Sequence, residues 1–99
     1  MSSSAQGFED LGEGRYAVRG PLRFQNVPTV WREAVGRFAT PREVVVDLSG
    51  VTEVDSAGLA LLVEWLRDAR KAGGAVRFAN APAKLLAIAR VTRLDVLLG

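Results

Sequence analysis

The sequence contains no cysteine and no histidine. Without cysteine there is no disulfide framework and no thiol chemistry. With both residues missing, the Ser-His-Asp and Cys-His arrangements and most zinc sites are excluded as well. A block of one charge is also lacking: 13 Lys and Arg are scattered among 11 Asp and Glu, for a formal net charge of +2. Such scatter gives nucleic-acid binding no footing, despite the basic pI. No apolar run exceeds Leu59 to Val63, far short of the roughly 20 residues that cross a bilayer, so direct membrane insertion is not expected. Met1 to Gly7 carries neither the basic nor the apolar region of a signal peptide. Together these absences predict a cytoplasmic protein that reaches a membrane only through a partner.

What is there is a soluble, core-forming composition. Apolar residues make up 48% and charged residues 24% of 99 residues, enough for one core and too little for a second. The expected organisation is a disordered stretch over residues 1–7 and one domain over 8–99. Phe8–Leu11 and Arg15–Arg19 read as strands joined by Gly12-Glu13-Gly14, a hairpin whose glycines permit positive φ. Gly20-Pro21 breaks that pattern, and Leu22–Phe24 reads as a short extended piece. Val27, Val30, Trp31, Ala34, Val35 and Phe38 recur at helical spacing and predict a first helix that Thr40-Pro41 ends.

Glu43–Leu48 predicts a central strand buried on both faces, ending in a loop at Ser49-Gly50. Ala57–Ala72 is the strongest helix, closed by Gly73-Gly74. Within it Leu59, Leu62, Val63, Leu66 and Ala69 form one stripe, with Leu61, Trp65 and Ala72 as a shoulder beside it. That shoulder either packs under the neighbouring helix or joins Trp31 in an exposed apolar patch. Ala75–Ala79 reads as a strand. Asn80-Ala81-Pro82 reads as a cap with a proline in the first turn of a helix over Ala83–Val91, and Leu94–Leu98 as a docking turn. Strands alternating with helices after a hairpin predict an α/β fold: a small mixed sheet, antiparallel at its start and parallel thereafter.

Chemistry concentrates at Asp55-Ser56-Ala57-Gly58, where a strand feeds a helix. A helix start gathers unpaired N–H groups and partial positive charge. Asp55 or Ser56 can therefore cap it, and the remaining hydroxyl is held at a fixed place for a partner. Asp47, Glu53 and Asp55 could together hold Mg²⁺, yet three carboxylates near a loop are read here as caps and solvated charges. No metal, cofactor or catalytic residue is predicted. Arg67, Arg70, Lys71, Arg90 and Arg93 read as helix-end charges rather than a phosphate site. Gly12-Glu13-Gly14 precedes a strand, so it is not a nucleotide-binding loop.

Val51-Thr52-Glu53-Val54-Asp55-Ser56-Ala57-Gly58-Leu59 resembles the signature of the STAS family, over nearly the whole chain. The resemblance is strongest to the MlaB-type STAS subunits of phospholipid-transport ABC complexes, which maintain outer-membrane lipid asymmetry. It is carried by Asp55 through Leu62, by Ala69-Arg70-Lys71-Ala72-Gly73, and by Trp31. It implies the STAS fold and a non-catalytic subunit that docks on the MlaF-like ATPase of an ABC transporter and regulates it at the inner membrane. The implied partner-binding residues are Trp31, Thr52, Asp55, Ser56, Ala57, Gly58 and Leu61. Such subunits usually carry Thr-Gly where this chain has Ser56-Ala57, a change that keeps the hydroxyl. The chain is also similar to anti-anti-sigma factors, which implies the alternative that an anti-sigma kinase phosphorylates Ser56.

Overall fold

The computed structural model describes residues 6–94. Its elements run β1 (Gly7–Gly12), β2 (Arg15–Leu22), α1 (Val27–Ala34), β3 (Glu43–Val54), α2 (Ser56–Lys71), β4 (Ala75–Ala79) and α3 (Ala83–Val91). The strands form one sheet in the order β1-β2-β3-β4, antiparallel at β1–β2 and parallel at β2–β3 and β3–β4. This is the expected class: an opening hairpin, then helices alternating with parallel strands. The disorder expected for residues 1–7 falls mainly on 1–5, outside the described residues, and Gly7 already pairs with Arg19. The turn expected at Leu94–Leu98 likewise lies outside them beyond Leu94.

Period-two alternation gives the sheet one covered face. Val44, Val46 and Leu48 are fully buried against Val30, Ala34, Leu59, Leu62, Leu85 and Ala89 of the three helices. Val45 and Asp47, between them, are only half-buried, because side chains alternate across a strand and the three described helices all pack on the Val44, Val46 and Leu48 side. The expectation that β3 is buried on both faces is therefore corrected. Within the core, Phe8, Tyr16, Phe38 and Trp65 meet ring to ring, with Phe38 stacked on Trp65 at 4.6 Å between centroids.

Several boundaries shift for local reasons. β3 continues six residues past Leu48, because Ser49-Gly50 is a bulge rather than a loop: Ala17 pairs with Asp47 and Arg19 with Gly50, leaving one extra residue on β3. The Asp47 carboxylate accepts the Ser49 N–H at 2.9 Å and steadies that bulge. β2 runs through Gly20-Pro21 as one strand with Leu22 at its end. β1 pairs only as far as Arg19, so the missing N–H of Pro21 falls where β2 has lost that neighbour. α1 stops at Ala34, not Phe38, as Gly36 turns the chain at φ +82°, and Phe38 then drops into the core. Asn80 does not cap α3. It sits in a turn at φ +59°, donates its amide to Asp47, and leaves Pro82 as the residue before the helix.

α2 closes as its glycines predict. Gly73 takes the left-handed conformation, its N–H reaching the Arg70 carbonyl and that of Gly74 the Ala69 carbonyl, a Schellman closure. No helix of the described residues is long and apolar enough to cross a membrane.

Candidate functional site

The site is built where β2 and β3 end side by side and two helices begin. Asp55, the last residue before α2, takes extended backbone geometry and serves as its cap. One carboxylate oxygen accepts the N–H groups of Ala57 at 2.9 Å and Gly58 at 3.2 Å, which α2 cannot satisfy internally. The other accepts the Phe24 N–H at 3.0 Å, in the loop before α1. Of the two cap candidates the sequence offers, Asp55 is the one used. These bonds, that from Phe24 first, hold its pKa below the ordinary carboxylate value, with the nearby Arg23 guanidinium adding to the effect.

Asn26 fixes the same loop from the other side, its amide group donating to the Pro21 carbonyl and accepting the Arg23 N–H. Arg23 in turn pairs with Glu53. The loop is thus pinned at Arg23 and Phe24, and the Phe24 ring, 75% exposed, is pushed into solvent.

Gly58 lets α2 come this close. A Cβ there would fall on the Leu22 carbonyl oxygen and 3.0 Å from Leu22 Cγ, so the helix start rests directly on the end of β2. Ser56, at the first helical position, is exposed and its hydroxyl makes no hydrogen bond among the described residues.

Between the starts of α1 and α2 lies an apolar groove of about 450 Å³, lined by Phe24, Val27, Pro28, Trp31, Ala57, Ala60, Leu61 and, as its one charged residue, Glu64. Trp31 is 52% exposed at its edge, although its helix otherwise buries Val30 and Ala34. A large aromatic side chain is thus left half in water beside the groove, on a helix whose neighbouring residues are buried.

The residues expected to form a site separate into three groups. Trp31, Ala57 and Leu61 line the groove together. Asp55 and Gly58 lie beneath it and fix its geometry, with Ser56 adjoining Ala57 at its mouth. Thr52 is not in the lining: it is the unpaired residue of a second β3 bulge, where Gly20 pairs with Val51 and Pro21 with Glu53, and it is exposed. Of the shoulder on α2, Trp65 is 2% exposed and belongs to the aromatic core, so it packs inward rather than joining Trp31. Val63 and Leu66, placed by the sequence in the core stripe, are only partly buried at its margin.

Sequence reasoning missed Phe24, Val27, Pro28, Ala60 and Glu64. No spacing in the sequence signals Phe24, whose place is set by its N–H bond to the Asp55 carboxylate. The carboxylates considered for Mg²⁺ are each engaged elsewhere, Asp47 by Ser49 and Asn80, Glu53 by Arg23, and Asp55 by backbone. Among the described residues no group of three metal-ligating side chains occurs. Asp47 too is held below the ordinary carboxylate pKa, first by the Ser49 N–H and then by Asn80.

Among the described residues no side chain hydrogen-bonds the Ser56 hydroxyl. The arrangement offers an apolar trough, two exposed aromatic rings and a hydroxyl at a rigid helix start. No curated protein matches the chain. Residues 9–99 match the family model described as "Mlab, STAS domain".

Proposed function

The chain belongs to the MlaB-type STAS-domain family, whose members are generally non-catalytic regulatory or binding modules, and from that premise we propose that it is the regulatory subunit of a phospholipid-transport ABC complex. In this reading it docks on the MlaF-like ATPase, in the cytoplasm and peripheral to the inner membrane. The observation that carries it is the groove between α1 and α2, with Trp31 and Phe24 exposed along its rim. An apolar helix edge of the ATPase would fill the trough, while the Ser56 hydroxyl next to Ala57 supplies a polar contact. Binding biases the ATPase only to the extent that one of its states fits this groove better than another.

Co-expression with the ATPase tests the reading. Trp31→Ala and Ser56→Arg are each expected to abolish co-purification while leaving the chain folded. An undiminished complex with both variants removes the docking site.

A second reading is favoured by one observation, the exposed and unbonded Ser56 hydroxyl. It is that of an anti-anti-sigma factor, in which Ser56 Oγ takes the γ-phosphoryl group of ATP on an anti-sigma kinase and ADP leaves. The phosphate would add about −1.5 to −2 charges at pH 7 at the groove mouth. Incubation with the cognate kinase and ATP, followed by intact mass, separates the two: one phosphate on Ser56 favours the switch, and an unchanged mass favours the transporter subunit.

A further inference from the structure

A second groove flanks α2 and takes no part in the proposed docking. It encloses about 460 Å³ between α2, the start of β4 and the end of α3, with Val63, Leu66, Val76 and Leu94 as its apolar wall and Arg67 and Arg70 at its edge. At 100° per residue, Val63, Leu66, Arg67 and Arg70 share a face of α2 about 120° round from the face that lines the Trp31 groove. The remaining face, with Leu62, Trp65 and Ala69, is the one buried in the core.

The segment that builds this groove is rich in bases, two of which, Arg67 and Arg70, line it. From Leu66 to Leu94 the chain carries seven Lys and Arg against the single acid Asp68, whereas from Gln6 to Trp65 nine acids face six bases. Both α2 and α3 end here, and cations do complement helix C-termini. Two such ends supply only about −0.5 charge each, which does not balance Arg67, Arg70, Lys71, Arg90 and Arg93. Arg67 has one carboxylate partner among the described residues, Glu64 at 3.4 Å, with both side chains more than half exposed. An exposed pair of this kind is weakly held, so the guanidinium is free to turn to a better acceptor.

We propose that this groove binds a small anionic amphiphile. A single alkyl chain lies on Val63, Leu66, Val76 and Leu94, and a phosphate or carboxylate head is held by the Arg67 and Arg70 guanidiniums, whose planar donors suit those groups. A half-enclosed volume within the range of about 300–1,000 Å³ typical of small-molecule sites favours a bounded ligand over a flat surface. The inference is independent of the docking reading, since it uses a different face of α2.

The test titrates the full chain with dodecyl phosphate below its critical micelle concentration, followed by calorimetry and by amide chemical shifts. Saturable one-to-one binding is expected, with shifts centred on Val63, Leu66 and Val76. The double variant Arg67→Gln, Arg70→Gln is expected to weaken it about tenfold or more while its amide spectrum stays that of the folded chain. Dodecyl maltoside, the same chain without charge, and inorganic phosphate, the head without a chain, are expected not to bind. Equal binding of dodecyl maltoside, or shifts centred on Phe24, Trp31 and Leu61, would overturn the proposal. So would binding seen only with anionic vesicles, which marks a surface field.

Discussion

The Asp55 carboxylate accepts the Phe24 N–H at 3.0 Å across 31 positions of sequence, and this one side chain joins the loop before α1 to the first turn of α2. The groove therefore has a fixed wall on each side, and its geometry depends on a residue that does not line it.

Removing that link is expected to loosen both walls. Asp55→Ala loses the cap of α2 and the tie to Phe24 together, an expected destabilisation of about 1–2 kcal/mol in urea unfolding. Amide exchange at Phe24, Ala57 and Gly58 should quicken in the same variant. Unchanged exchange at Phe24 would show that the loop holds itself without Asp55.

Gly58→Ala sets two effects against each other. In an open helix the change stabilises by up to about 1 kcal/mol, but here the new methyl meets the Leu22 carbonyl oxygen, which is backbone and cannot turn away. The steric term of about 1–3 kcal/mol wins, so a lowered urea midpoint is expected. A raised midpoint would mean that α2 can lift off β2 without penalty.

The two tryptophans are expected to behave oppositely. Trp65 is buried against Phe38 and Phe8, and Trp65→Ala should cost about 3–5 kcal/mol. Trp31→Ala should leave stability within about 0.5 kcal/mol of the parent and be felt only in partner binding. Thermal melts of the two variants side by side decide this.

Acid is expected to destabilise the fold through Asp47 and Asp55. Both carboxylates are held below their ordinary value of 3.8 by hydrogen bonds to the charged form. Their contribution is therefore complete above that value and is lost as pH falls through the lower folded values. Urea midpoints should be level near neutrality and fall below about pH 4, less steeply in Asp55→Asn. An identical acid slope in that variant would remove Asp55 from the account.

The alternation of elements, the hairpin glycines, the Gly73 closure and the span of α3 were legible because each rests on local chemistry: periodicity, positive φ, capping. The misreadings came from context that local patterns do not carry. Ser49-Gly50 has loop composition, yet the paired strands on both sides of β3 absorb it as a bulge. Pro21 has the look of a strand end, yet β1 is too short to need its N–H. On α2 the periodicity located an apolar stripe but not its centre. Trp65 was drawn inward by Phe38, a residue that itself reaches the core only because α1 ends early at Gly36. The groove was half legible: Trp31 and Leu61 sit on helices whose faces can be counted and Ala57 came with the resemblance, while Phe24 is exposed by two hydrogen bonds to its loop that no spacing reveals.

The four-ring cluster draws on β1, β2, the turn after α1, and α2. During synthesis, then, the first half of the chain emerges with three of its aromatic rings unroofed, and the core closes only after residue 65 has left the ribosome. A nascent chain arrested before that point would be a target for chaperones, whereas one arrested once Lys71 has emerged from the ribosome already shelters those rings.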